Sequence, residues 1–164
     1  MGFSDLFSMA EVILDANPGN KAGLLELLAA EAAQRSGQSA DDILAALKAR
    51  ENIGSTALGK GIALPHAEMR DAETPLVLFA RLSRPIGFDA GDDQPVDLVF
   101  MMLWPATNRK GLLTAMAEVC RVLRDPQSLR RLRAASTAEE VVQAIRDAAA
   151  EQDGYDTDMT ADYR

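Results

Sequence analysis

A single cysteine, Cys120, leaves the chain no partner for an internal disulfide, a composition suited to a reducing cytoplasm. Histidine is equally scarce, His66 being the only one. One histidine, one cysteine and scattered carboxylates do not supply the clustered nitrogen and sulfur ligands that zinc prefers, so neither a metal nor a cofactor is expected. Apolar runs are broken by charge well short of the roughly 20 residues that cross a bilayer, and the protein is not expected to be membrane-embedded. No basic stretch followed by a long apolar one opens the chain, so no secretory signal is visible and a cytoplasmic location is expected. Positive charge is in deficit: the formal net charge is -8. Nucleic acid is therefore not expected as a main partner, because phosphate binding is driven by clustered Lys and Arg. The one basic cluster, Arg130-Arg131-Leu132-Arg133, reads as the solvated end of a helix. An acidic balance still suits a protein partner with a basic face.

What is present fits one ordinary domain. A chain of 164 residues is long enough to bury its own core. Glu11 to Leu14 reads as a brief strand ended by Asn17-Pro18-Gly19-Asn20. From Lys21 to Arg35, Leu24, Leu27, Leu28 and Ala32 recur at helical spacing, and Ser36-Gly37 offers a stop. Ser39 is the expected N-cap of a second helix, with Asp41 and Asp42 in its first turn and Ile43, Leu44 and Leu47 turned inward. Two apolar runs of buried-strand length follow, Leu76 to Leu82 and Val96 to Leu103, with a turn-rich stretch from Pro85 to Asp93 expected to hold an edge strand or hairpin corner. The helical period then returns. Leu112, Leu113, Met116, Val119, Cys120 and Leu123 read as one inward face, which would bury the thiol. A short helix over Gln127 to Arg133 and a final one capped by Ser136 or Thr137 are expected, the last ending near Ala150. Residues 149–164 carry five carboxylates and little to bury, and read as an acidic, disordered tail. The order of elements predicts a single α/β domain with a central mixed β-sheet flanked by α-helices.

The candidate site is the run Arg50-Glu51-Asn52-Ile53-Gly54-Ser55-Thr56-Ala57-Leu58-Gly59-Lys60-Gly61-Ile62-Ala63-Leu64-Pro65-His66. Its glycines permit close backbone approach, and Ser55 and Thr56 add hydroxyl donors, so the loop is suited to an anion. Pro65 fixes its own φ and biases Leu64 toward an extended conformation, which delivers His66 from the strand Ile62-Ala63-Leu64 at a defined angle. Imidazole is the side chain that stays largely neutral and nucleophilic near neutral pH. Known nucleotide loops do not fit: the lysine, Ser/Thr and glycine spacings they need are missing. No Gly-x-Ser-x-Gly elbow of a hydrolase is present either. Arg50-Glu51 is equally readable as a helix-end ion pair, and Trp104-Pro105 as the close of a strand.

The segment from Gly54 to His66 resembles the active-site signature of the fructose/mannitol-type EIIA domains of the bacterial phosphoenolpyruvate-dependent phosphotransferase system. Pro85-Ile86-Gly87-Phe88-Asp89-Ala90, Asp93-Gln94-Pro95-Val96-Asp97-Leu98-Val99-Phe100 and Leu129-Arg130-Arg131-Leu132-Arg133-Ala134-Ala135 resemble its nitrogen-regulatory branch, and the likeness covers residues 5–148. The resemblance implies that His66 accepts a phosphoryl group from an HPr-like phosphocarrier protein. It further implies that the protein relays nitrogen, carbon or potassium status to regulatory targets such as sensor kinases or transporters. Ser55, Thr56 and Arg50 are then the candidate phosphoryl stabilisers; Arg50 matches an arginine that precedes the Gly-Ser-Thr motif in the family. One departure stands out. Relatives commonly carry a second histidine in a His-Leu pair at the start of the helix after the second long strand, and here the pair is Gly111-Leu112. Asn108, Arg109 or Lys110 are the donors available to replace it. A regulatory binding module that works without phosphorylation, or a stand-alone sugar-transport EIIA, are the alternatives.

Overall fold

The computed structural model describes residues 5 and 7–161. They form two compact units, Ile13–Leu112 and a second made from the two ends of the chain. The first unit is built on a six-stranded sheet with the order β1-β5-β6-β3-β2 and with β4 also on β6. The strands are β1 (Val12–Ala16), β2 (Ala57–Gly59), β3 (Ile62–Ala63), β4 (His66–Met69), β5 (Leu76–Ile86) and β6 (Val96–Pro105). β5 and β6 pair antiparallel, as do β2 and β3, whereas β3 and β4 run parallel to β6. The sheet is thus mixed, as the sequence predicts.

Two helices accompany the sheet. Helix α1 (Lys21–Ser36) starts where Asn20 Oδ1 accepts from the Gly23 amide at 2.8 Å and stops at Gly37, whose φ of 74° is the left-handed cap that glycine adopts at no steric cost. Helix α2 (Ala40–Ile53) starts at Ser39, whose Oγ accepts from the Asp42 amide at 3.3 Å. Ser39 is the N-cap and Gly37 the stop that the sequence predicts; Asn20, read only as part of a turn, is a cap as well. Leu24, Leu25, Leu28, Ala32, Ile43 and Leu47 from these helices join Ala67, Met69, Leu78, Ala80, Val99, Met101 and Leu103 of the sheet in one apolar cluster. The alternate side chains of β5 and β6, among them Val77, Phe79, Phe100 and Met102, are buried as well, with the Phe79 and Phe100 rings 5.0 Å apart in a tilted pair. Burial of both sets explains why these two strands read as unbroken apolar runs. Leu28→Ala is expected to cost about 3 kcal/mol of unfolding free energy, from lost burial and the cavity left, as read from urea denaturation midpoints.

The second unit holds most of α3 (Arg109–Val122), with α4 (Pro126–Ala134) and α5 (Ala138–Ala161). Asp125 both follows α3 and caps α4, accepting from the Gln127 amide at 3.0 Å, with Pro126 at the first helical position. Thr137 Oγ1 accepts from the Glu140 amide at 3.2 Å while the Glu140 carboxylate accepts from the Ser136 amide at 2.7 Å, a reciprocal start for α5. Arg131 of α4 bridges to Asp147 of α5 at 2.9 Å, and that contact, with a hydrogen bond from Gln143, holds the Asp147 carboxyl below its ordinary range.

Several boundaries differ from expectation. β1 begins and ends later than predicted, and β5 runs on to Ile86, so Pro85-Ile86 belongs to that strand rather than to a separate edge strand. The register irregularity between Arg81 and Ile86 is where Pro85, lacking an N–H, meets the ladder. In α3 the buried face is Leu112, Ala115, Val119 and Val122, with Leu123 buried just past its end; Leu113 is 57% exposed and Cys120 only half-buried, because the apolar stripe is narrower than the residue types suggest. Helix α5 continues to Ala161 instead of ending near Ala150. The Ala148-Ala149-Ala150-Glu151-Gln152 stretch is rich in strong helix formers and no proline stops it, so a helical backbone enters the segment read as a disordered tail. Residues 162–164 of that tail lie outside the described residues.

Candidate functional site

His66 opens β4, and the reason lies in Pro65. β3 and β4 share one register on β6, Ile62 opposite Leu98 and His66 opposite Met102, but the ladder is interrupted at Leu64-Pro65. Proline has no amide hydrogen to give the sheet. Pro65 still accepts at its carbonyl from the Met102 amide, at 3.0 Å, which restarts the pairing at His66. The sequence predicts the strand before the proline; that a second strand starts at the histidine was hidden, because Pro65 reads as an end. Alternation along β4 then puts Ala67 and Met69 into the apolar cluster and leaves His66 half-buried and Glu68 exposed.

Both ring nitrogens of His66 have partners. Nδ1 lies 2.9 Å from the Leu64 carbonyl oxygen. A carbonyl only accepts, so Nδ1 carries the proton and Nε2 keeps its lone pair. Onto that lone pair Arg50 Nε–H donates at 3.2 Å, while its Nη1 donates to the Gly54 carbonyl at 2.9 Å. Arg50 therefore does two things from the last turn of α2: it satisfies a C-terminal carbonyl of the helix, and it places a guanidinium against the unprotonated nitrogen of His66.

Of the four site residues picked from the sequence, the structure joins His66 and Arg50 directly. Ser55 and Thr56 hold the loop instead. The Ser55 hydroxyl donates to the Phe88 carbonyl at 2.6 Å and accepts from the Ala57 amide at 3.2 Å. Thr56 is buried, its hydroxyl and its amide (3.2 Å) both donating to the Glu51 carboxylate. Each hydroxyl has one hydrogen, and each is already given. Glu51 in turn is paired with Lys21 Nζ at 2.9 Å, with side-chain exposures of 5% and 21%. Lys21 also reaches Asp89 at 3.5 Å and stands 4.3 Å over the Phe88 ring. Arg50-Glu51 is thus no ion pair of its own; each residue has a different partner. The sequence showed no sign of Lys21, which is distant along the chain and carries no motif.

The hairpin between β2 and β3 turns through Gly59, Lys60 and Gly61, all with positive φ. A Cβ on Gly59 would stand 3.2 Å from the Asp92 carboxylate, which accepts from the Lys60 amide at 3.0 Å and from the Gln94 amide at 3.1 Å. Those amides, Lys60 first, hold the Asp92 carboxyl below its ordinary range.

The residues around Gly111 show what replaces a side chain there. Asn108 Oδ1 caps α3 by accepting from the Gly111 amide at 3.1 Å, and a Cβ on residue 111 would stand 2.5 Å from Asn108 Nδ2. The Asn108 side chain occupies the space; its Oδ1 is spent as the acceptor of the cap, whereas its Nδ2 donors take no part in it. Arg109 faces Glu68 of β4 at 3.6 Å. Gly111→His is expected to push Asn108 off the helix end and cost about 1 kcal/mol, the worth of an N-cap. Asn108→Ala should cost the same, and the double variant no more than either alone, in thermal denaturation.

The likeness to known proteins agrees with this geometry. A family model described as "Phosphoenolpyruvate-dependent sugar phosphotransferase system, EIIA 2" matches residues 5–148, across both units. A nitrogen regulatory protein of Bradyrhizobium diazoefficiens is 37% identical over 145 residues, 88% of this chain and 95% of that protein. The crystal structure of nitrogen regulatory protein IIA-Ntr from Neisseria meningitidis superposes with a TM-score of 0.83 at 30% identity, covering 87% of this chain and 98% of that one. IIA mannitol from Escherichia coli shares the fold, with a TM-score of 0.72 at 18% identity over 85% and 98% of the two chains. Among the described residues no helix is long and apolar enough to cross a membrane. By a match that spans residues 5–148, and with a mixed six-stranded sheet and five α-helices among the described residues, the chain belongs to the EIIA type 2 family of the phosphoenolpyruvate-dependent sugar phosphotransferase system.

Proposed function

We propose that this protein is a cytoplasmic phosphocarrier with a regulatory output, accepting a phosphoryl group on His66 Nε2 from the phosphohistidine of an HPr-like carrier. The observation that carries this reading is the pair of contacts on the ring: Nδ1–H given to Leu64, Nε2 bare except for a guanidinium hydrogen. As Nε2 attacks, the P–N bond of the donor breaks and a new P–N bond forms. The carrier's histidine leaves as neutral imidazole, and positive charge develops on the His66 ring. Leu64 holds the Nδ1 proton where that charge appears, so no proton need move in the transfer step. In-line phosphoryl transfer asks the protein mainly for position and for charge to meet the spread phosphoryl oxygens, and Arg50 is in place for the second.

The nitrogen-regulatory names of the relatives favour signalling of nitrogen, carbon or potassium status to target proteins over sugar delivery. Incubation with phosphoenolpyruvate, Enzyme I and an HPr-like carrier is expected to add the mass of one acid-labile phosphoryl group. An unlabelled wild-type protein would overturn the proposal. It would favour the second reading, a binding module that acts without phosphorylation, for which Gly111 in place of the family's second histidine is the specific observation.

A further inference from the structure

We infer that Glu51, with Lys21 as its counter-charge, is a positioning residue that sets which nitrogen of His66 is left bare. The inference rests on the reading of His66 as the acceptor only for its functional consequence; the geometry stands apart from it. Two chains of hydrogen bonds leave Glu51 and end on the two ring nitrogens. Through its carboxylate, Glu51 takes both the amide and the hydroxyl of Thr56, the Thr56 carbonyl takes the Leu64 amide at 3.0 Å, and the Leu64 carbonyl takes Nδ1–H at 2.9 Å. Through its backbone carbonyl, Glu51 takes the Gly54 amide at 3.2 Å, the Gly54 carbonyl takes Arg50 Nη1 at 2.9 Å, and Arg50 Nε–H reaches Nε2 at 3.2 Å. The two chains close a ring around the loop.

The chemistry of the ring requires a carboxylate. Three donors converge on the Glu51 side chain: Thr56 N–H, Thr56 O–H and Lys21 Nζ. An amide in its place offers one accepting oxygen and turns an N–H₂ toward donors. A carboxylate with 5% side-chain exposure needs compensation, and Lys21 supplies it. Loosening Thr56 frees the segment that carries the Leu64 carbonyl. In water a free neutral imidazole favours the proton on Nε2, so a ring released from Leu64 returns toward the tautomer whose Nε2 cannot attack. Glu51 touches no reacting atom and acts through Thr56 and Leu64.

The experiment compares wild type, Glu51→Gln, Thr56→Val and Thr56→Ser, each read in two ways. Imidazole ¹⁵N shifts report the tautomer of His66, unambiguous because the chain has one histidine. Labelling by phosphoramidate, a small donor that needs no carrier protein, reports the reactivity of Nε2. Wild type and Thr56→Ser are expected to hold Nδ1–H with Nε2 bare. Glu51→Gln and Thr56→Val are expected to show mixed tautomers and label about tenfold more slowly, the lower end of the loss that follows removal of a partner fixing the tautomer of a metal-bound histidine. A wild-type tautomer in both Glu51→Gln and Thr56→Val would overturn the inference. Mixed tautomers in the variants alongside an unlabelled wild type would support it and overturn the acceptor role instead. Should Glu51→Gln fail to fold, the near-isosteric Thr56→Val against Thr56→Ser decides alone.

Discussion

His66→Ala is expected to abolish phosphoryl uptake while leaving a folded protein. The loss should be complete rather than partial, because no second imidazole is available: His66 is the only histidine, residue 111 has no side chain, and Thr56 is buried. The fold should survive, because His66 is only half-buried and its neighbours Ala67 and Met69, not the imidazole, enter the apolar cluster. Intact-mass measurement after incubation with phosphoenolpyruvate, Enzyme I and carrier gives the first readout, and a thermal melt of the same sample the second. Equal label on the alanine variant would place the acceptor elsewhere.

Arg50→Ala is expected to slow transfer by about 10²–10³-fold, equivalent to roughly 3–4 kcal/mol of lost transition-state stabilisation, the range for removing one preorganised donor from developing negative charge. In the resting protein the guanidinium donates to Nε2. When phosphorus takes that lone pair, the same hydrogens lose their acceptor and the phosphoryl oxygens become the nearest negative charge. Arg50→Lys should recover part of the rate, since a point charge remains but the planar fork that spans Gly54 and His66 does not. Because Arg50 also satisfies the Gly54 carbonyl, the alanine variant should lose a little thermal stability, and the lysine variant separates the two effects: stability restored with rate still low assigns the larger role to the phosphoryl group. Single-turnover labelling against carrier concentration is the measurement, and an unchanged rate in Arg50→Ala would remove Arg50 from the mechanism.

Much of this arrangement was legible in the chain where a local rule operates. Ser39 at an N-cap, Ser36-Gly37 at a helix stop and Ser136 or Thr137 at the start of the last helix each act within a few residues, so their partners are visible beside them. His66 stood out by its solitude and its proline. The roles of Ser55 and Thr56 were not legible, because what they touch is set by folding: Phe88 lies on another segment, and Glu51 faces the loop only once α2 has ended. Lys21 illustrates the limit best. In the sequence it marks only the start of α1, and the packing of α1 beside α2 turns it toward Glu51. The extra strand β4 was hidden for the opposite reason, since a rule that usually holds, proline as a terminator, is met here by a pause in pairing rather than an end.

That pause has an entropic consequence. The carbonyl that holds the His66 proton belongs to Leu64, separated from the histidine by Pro65 alone. Closing so short a loop costs little chain freedom, and a proline within it has already removed much of what the unfolded chain would have to give up. The Nδ1 side of the ring is therefore held at little entropic cost by local dihedral angles, and a disturbance elsewhere reaches the ring through the two groups that touch it, the Leu64 carbonyl and the Arg50 guanidinium.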